Sequence, residues 1–215
     1  MDACSDKKIP SKTEIEHPPQ IYFKGAQDPL SNMFRVENGL NLFTHTFYYA
    51  ESAYQWRAAV YAGDFASAEE ILRAKDGYEA KRIGDEIDKP SGWYDIKESV
   101  MEVILEEKFK KCPEYSGALK KSEKAELIED TTHEFWARGT YAKPGMNKLG
   151  KLHMKKRTSM NQHNTLDGAS NETELSTGKK TSTIDSGTNR QTKADMPRNN
   201  IDKNLQGDVL LIGNS

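Results

Sequence analysis

The first apolar run of the chain, Ile21-Tyr22-Phe23, predicts a short strand, closed by Gly25 and by Asp28-Pro29-Leu30-Ser31-Asn32, where Asp-Pro and Ser-Asn favour turns. Met33 to Val36 and Leu40 to Tyr49 carry β-branched and aromatic residues on either side of Asn38-Gly39, which predicts a hairpin turning at that pair. From Glu51 the period becomes helical: Ala53, Tyr54, Ala58 and Tyr61 recur near a 3.6 spacing until Gly63. A second helix, Phe65 to Ala74, follows the N-cap candidate Asp64, and a third runs from about Tyr78 to Ile87. The longest follows Ser91 and spans Trp93 to Cys112, with Trp93, Ile96, Val100, Ile104 and Lys108 at the buried spacing. Pro113 ends it or opens a short helix up to Leu119. Leu127-Ile128-Glu129 predicts a last strand, and Met146 to Lys156 a last helix or turn with a basic end. Short strands and several helices without βα alternation predict an α+β fold, compact and mostly helical.

The pattern is confined to the middle of the chain. Every Phe, Tyr and Trp lies between Tyr22 and Tyr141, and the ends are rich in Ser, Thr, Asn, Lys and Asp. Such segments cannot bury enough apolar surface to offset a backbone entropy of roughly 1–2 kcal/mol per residue. The expectation is a disordered leader over residues 1–19, one folded domain at 20–157, a disordered polar tail at 158–206 and an aliphatic end at 207–215. That end, Asp208-Val209-Leu210-Leu211-Ile212-Gly213-Asn214-Ser215, resembles the first block of SGNH-type hydrolases, with Asn214 where aspartate is usual. It reads as the stump of a truncated second domain or as an incidental apolar end. With no histidine or acid after Ser215, a Ser-based hydrolase is not expected of this stretch.

Composition removes other classes. Among 215 residues, 35% are hydrophobic and 30% charged, the formal net charge is −2 and the mean hydropathy is −0.83. The sequence has no apolar run long enough to span a bilayer and no apolar signal-peptide core near its start. Cys4 and Cys112 make no disulfide framework, and with the scattered histidines they make no zinc pattern, so no metal or cofactor is expected. A cytoplasmic or nuclear setting is expected, and near-neutral charge argues against indiscriminate nucleic-acid binding.

Candidate chemistry clusters inside the folded stretch. Glu51 and Gln55 sit four apart on one helix face, and the dipole at a helix N-terminus favours an ionised acid. Ala80-Lys81-Arg82-Ile83-Gly84, Trp93, the segment Glu129 to Trp136 (EDTTHEFW) and Gly145-Met146-Asn147-Lys148-Leu149-Gly150 follow. Singly, each reads blandly: a helix-terminal acid, core tryptophans, a solvated basic face, a turn into a helix.

Order and wording together are specific. F-x-G-x-x-D-P-L-S-N-M-F, A-E-x-A-Y-Q, A-K-R-I-G, W-x-x-x-K-x-x-V-M, L-x-E-x-T-x-x-x-F-W and G-x-N-x-L-G resemble, in this order, the NADAR family of NAD- and ADP-ribose-associated domains, over residues 21 to about 157. The resemblance implies cleavage of the N-glycosidic bond between a phosphorylated ribose and a base. Relatives act on aminouracil ribosides of riboflavin biosynthesis or remove ADP-ribose from guanine in nucleic acid. It therefore implies a small phosphorylated ribosyl or ADP-ribosyl substrate as partner, or ADP-ribosylated nucleic acid. Residue by residue it implies Glu51 and Glu134 as catalytic acids, Glu134 standing where many members have aspartate. Asn32, Tyr54, Gln55, Arg82, Trp93, Trp136, Gly145, Asn147 and Gly150 become substrate contacts. A carboxylate facing the anomeric carbon offsets oxocarbenium-like charge or activates water, and a second, protonated acid serves the leaving base.

Two positions depart from the pattern. Many relatives carry lysine seven residues after the motif glutamate, where this chain has Ala58, and its cation is Arg57, about 100° round the helix. Arginine cannot act as an amine nucleophile at neutral pH. The WGxG block has become Trp136-Ala137-Arg138-Gly139. The sequence is thus compatible with an active N-glycosidase, with a nucleotide-binding module that has lost turnover, or with a scaffold domain.

Overall fold

The structure is a computed structural model that describes residues 18–169, with side chains through residue 162. Residues 1–17 and 170–215, including the aliphatic end, lie outside the described residues. Strand β1 (Gln20–Phe23) pairs in parallel with β4 (Glu126–Glu129), Ile21 opposite Leu127 and Phe23 opposite Glu129. This pairing sets the first strand against one more than a hundred residues along the chain, with Glu129 as the last residue of β4.

Strands β2 (Arg35–Leu42) and β3 (His45–Tyr49) form an antiparallel hairpin. Its turn is not at Asn38-Gly39. Strand β2 runs straight through that pair, with a register shift between Arg35 and Leu40 and Gly39 at φ 65°. A left-handed glycine serves a β-bulge as well as a turn, and a Cβ at Gly39 would lie 2.5 Å from Thr46 Cγ2. The chain reverses instead at Phe43-Thr44, both at positive φ (52° and 70°). That costly conformation is held by tertiary packing, for the Phe43 ring stacks on Trp56 at 5.9 Å.

The helices follow their caps. Helix α1 (Ala50–Ala62) stops at Gly63 at φ 75°, and α2 (Phe65–Arg73) starts under Asp64, whose carboxylate accepts the Ser67 N–H. Asp76 does the same for α3 (Gly77–Asp85) through the Glu79 N–H. Helix α4 (Ser91–Lys111) buries Trp93, Val100, Ile104 and Lys108, and α5 (Pro113–Lys121) opens on Pro113. Helix α6 (Lys148–Ala169) continues past residue 157. The expected tail therefore begins as helix, for no Gly or Pro interrupts the chain between Gly150 and Gly168. By contact density the chain divides into one unit ending at Asn161 and another starting at Gln162.

Helix α1 is the centre of the first unit. Ala50 through Ala59 are all buried, polar residues included. Its N-terminus is fixed by the Asp28–Phe34 loop: the Glu51 N–H donates to Asn32 O at 3.2 Å. The loop is pinned from behind by Lys108, fully buried, whose ammonium donates to Ser31 O at 2.8 Å and lies 4.9 Å from the centre of the Tyr115 ring. Burial lowers the Lys108 pKa to about 8. No helix among the described residues is long and apolar enough to cross a membrane.

Candidate active site

Glu51 enters the core on the first turn of α1 and is 8% exposed. Its carboxylate accepts the Gln55 Nε2–H at 2.8 Å, as the four-residue spacing predicts. Burial raises its pKa, while Gln55, the Lys81 ammonium and the Asn32 carboxamide hold it back and Asp85 adds to the rise. Gly77, Lys81 and Gly84 share one face of α3. A Cβ at Gly77 would sit 3.0 Å from Met33 Sδ and 3.4 Å from Glu51 Cβ, and one at Gly84 would sit 2.1 Å from Gln55 Oε1. The two glycines thus let α3 close on α1, near enough for the Lys81 charge to act on the acid. Lys81 also holds Asp85 with both carboxylate oxygens, at 2.8 and 2.9 Å.

The other acid with a buried carboxylate oxygen is the half-buried Glu129, while Glu134 lies on the surface. Glu129 ends β4, its Oε2 is buried without a hydrogen-bond partner, and its pKa is pushed up to about 7 by burial first and the Glu51 charge second, with Lys81 opposing. Glu134, five residues on, is exposed and pairs with Lys143 at 3.5 Å. The β1–β4 register decides between them: the strand delivers its last residue to the core rim, and the loop then carries Glu134 into solvent.

Asn147 holds Glu129 in place. It adopts φ 49°, donates Nδ2–H to Leu127 O at 2.8 Å and accepts the Glu129 N–H at 3.1 Å. A Cβ at Gly150 would lie 2.0 Å from Leu127 O, and one at Gly145 2.2 Å from Ala137 O. The G-x-N-x-L-G block, expected to touch phosphate or ribose, is therefore a clasp on β4. Asn147→Ala leaves the Glu129 N–H and Leu127 O unmatched. It should lower the stability of the domain by about 2 kcal/mol, read as the urea midpoint at constant slope.

Other expected contacts divide. Tyr54 (6% exposed) and Gln55 (4%) line the Glu51 side, and the Asn32 Oδ1 and Gln55 Oε1 atoms are buried without partners. The Tyr54 hydroxyl is raised by burial and then by Glu51. Trp136 is half-buried, edge-on to Tyr54 at 5.6 Å and to Phe135 at 4.8 Å. Trp93 is 1% exposed between Tyr54 and Tyr61, which makes it a core anchor without a free face. Arg82, one position round from Lys81, reaches out to Glu86 and Glu70 at 3.3 and 3.8 Å. Ala58 is fully buried, so its side of α1 is core and not open cleft. Ala58→Lys should cost about 3 kcal/mol or more by overpacking and by burying a charge. A urea midpoint unchanged from the parent would contradict that placement.

Glu129, Lys81 and Asp85 were not singled out by spacing. The available signal for Glu129 was an acid directly after the apolar pair Leu127-Ile128, and for Lys81 its position between two glycines of one helical face. Among the described residues no cluster of His, Cys, Asp and Glu could hold a metal ion.

The NADAR domain family matches residues 21–161, the whole of the architecture that builds this site. The chain belongs to the NADAR family. It is 35% identical over 95 residues to the N-glycosidase YbiA of Escherichia coli strain K12, a match spanning 43% of this chain and 59% of that protein. The N-glycosidase YbiA of Shigella boydii matches to the same extent. The chain thus spans about three-fifths of the length of these curated relatives. The NMR structure of E. coli YbiA superposes with a TM-score of 0.57 at 25% identity, covering 72% of this chain and 92% of that one.

Proposed function

We propose that this NADAR domain hydrolyses the N-glycosidic bond of a phosphorylated ribosyl base or an ADP-ribosyl adduct, using Glu51 and Glu129 as an unequal pair. The observation that carries the reading is the asymmetry of the two acids. Burial raises the Glu51 pKa, and the Gln55 N–H, the Lys81 charge and the Asn32 carboxamide oppose that rise. Glu129 has an unpartnered buried oxygen and a carboxylate neighbour, both favouring the protonated form. Two carboxyl groups driven apart in this way divide base and acid roles.

The reaction follows from that division. The C1′–N bond breaks with its electron pair going to the base, and the Glu129 carboxylic proton passes to the base nitrogen. Positive charge on the ribose is offset by the Glu51 carboxylate. Water adds to C1′ and gives its proton to Glu51, and proton exchange with solvent then restores the starting pair. Gln55 and the Lys81 charge favour the ionised form of Glu51 against its burial, and Asn147 sets the Glu129 backbone.

The test is incubation of the full chain with ribosylated aminouracil phosphate, ADP-ribosyl-guanine and NAD, followed by detection of free base. Release of base from at least one supports the reading. The absence of lysine at position 58 favours a second reading, a nucleotide-binding module without turnover, and it predicts binding of the same compounds with no free base.

A further inference from the structure

We propose that Lys108 is a positioning residue for Glu51: with Met101 it seats the Ser31-Asn32 step of loop 28–34 against the first turn of α1, and that seat sets where the acid stands. This deepens the glycosidase reading above and rests on it only for what Glu51 does.

The loop does not need Lys108 in order to form. Asp28 O accepts the Ser31 N–H at 3.0 Å, Asp28 Oδ1 accepts the Leu30 N–H at 3.0 Å, and Ser31 Oγ accepts the Met33 N–H at 3.1 Å. Ser31 O also accepts the Phe34 N–H at 3.2 Å, so this carbonyl has a partner besides the Lys108 ammonium. The internal bonds leave open where the finished turn sits on the core. Helix α4 fixes that with two buried side chains two turns apart. Lys108 donates to Ser31 O at 2.8 Å, and Met101 Sδ accepts the Asn32 Nδ2–H at 3.6 Å. On its other side the loop meets α3, where a Cβ at Gly77 would lie 3.0 Å from Met33 Sδ.

The seat reaches the acid through the backbone. The first N–H groups of a helix have no partner inside it, and that of Glu51 donates to Asn32 O at 3.2 Å. The Asn32 carboxamide also opposes the rise that burial imposes on the Glu51 pKa. A displaced loop takes both from the acid.

Stability alone does not call for a lysine at this place. Lys108 is fully buried and forms no ion pair among the described residues. Its charge has the Ser31 carbonyl, the Tyr115 ring with its centre 4.9 Å away, and the more distant charge of Asp28. A methionine would avoid that desolvation and leave the Ser31 carbonyl matched by Phe34. Direction does call for a lysine, because a hydrogen bond fixes the carbonyl where a flexible thioether only fills space.

The test uses the full chain and Lys108→Met. Amide hydrogen exchange, read residue by residue by NMR, should show the Glu51 N–H exchanging about tenfold faster or more than in the parent, with the Ala58 and Ala59 amides deeper in α1 unchanged. The melting temperature should stay level or rise. With whichever of the three ribosyl compounds above the parent cleaves, kcat should fall by about tenfold or more and by a larger factor than KM rises. Asn32→Ala should lower kcat as well, and the two effects should not add in the double variant, as expected of residues acting through one contact. An unchanged Glu51 exchange rate, additive effects on kcat, or a melting temperature more than about ten degrees below the parent overturns the proposal, the last by making Lys108 a structural residue. Faster Glu51 exchange at an undiminished melting temperature, in a parent that releases no base, leaves the positioning standing and removes the glycosidase reading. Base release by the parent with unchanged Glu51 exchange in Lys108→Met does the reverse.

Discussion

Glu51→Gln should abolish base release, with turnover falling by about a thousandfold or more, while the melting temperature stays within a few degrees of the parent. The substitution keeps the volume and removes the charge proposed to offset a cationic ribose. The fold should tolerate it because the acid is a burden there: burial raises the Glu51 pKa, and its neighbours only partly compensate. An amide at residue 51 can still meet Gln55 by rotation of either group. A loss of less than about tenfold would leave Glu51 as a helix-terminal acid only.

Glu129→Gln should lower kcat by about a hundredfold or more near neutral pH and should abolish the alkaline fall of the pH–rate profile. The parent uses Glu129 protonated, so its rate should decline as pH rises through about 7. The same group links pH to stability. Its pKa is higher folded than unfolded, so the unfolded chain gives up this proton first as pH rises. Its contribution is complete below its ordinary carboxylate pKa and is lost as pH climbs through about 7. Between about pH 5 and pH 8 the parent should therefore lose stability that Glu129→Gln retains. Urea midpoints at the two pH values read this directly, and parallel curves for parent and variant would contradict the raised Glu129 pKa.

The helices were legible because their ends are chemical. Asp64 caps α2, Gly63 closes α1 in the left-handed region, and Pro113 opens α5. The buried stripe of α4 was legible too, down to Lys108, since its spacing alone places a lysine among apolar residues. The hairpin turn was misplaced because Asn-Gly satisfies a bulge as readily as a turn, and the Phe43 stack on Trp56 that holds the real turn is a contact between elements. The site was half legible. Glu51 and Gln55 stand on one helix face and need only the 3.6 period. Glu129 depends on a parallel pairing of Phe23 with Glu129, more than a hundred positions apart, which no local pattern announces. Glu134 and Arg82 stand close along the chain to the residues that face the acids, and they point elsewhere for the same reason: neighbours on a loop or helix diverge, and only packing says which one turns inward. Asn147 and the glycines beside it looked like ligand contacts because a tight clasp and a tight ligand loop call for the same residue types.

An unequal pair of Glu51 and the half-buried Glu129 requires different protonation states of the two acids at neutral pH. Carboxyl carbon-13 NMR of the full chain, titrated from about pH 3 to pH 9 with Glu51→Gln and Glu129→Gln assigning the signals, measures this without a substrate. The expected result is a Glu129 signal that titrates near 7 after Glu51 has ionised, with a midpoint that moves down when the Glu51 charge is removed. Two carboxyls titrating independently near the ordinary glutamate value would contradict it.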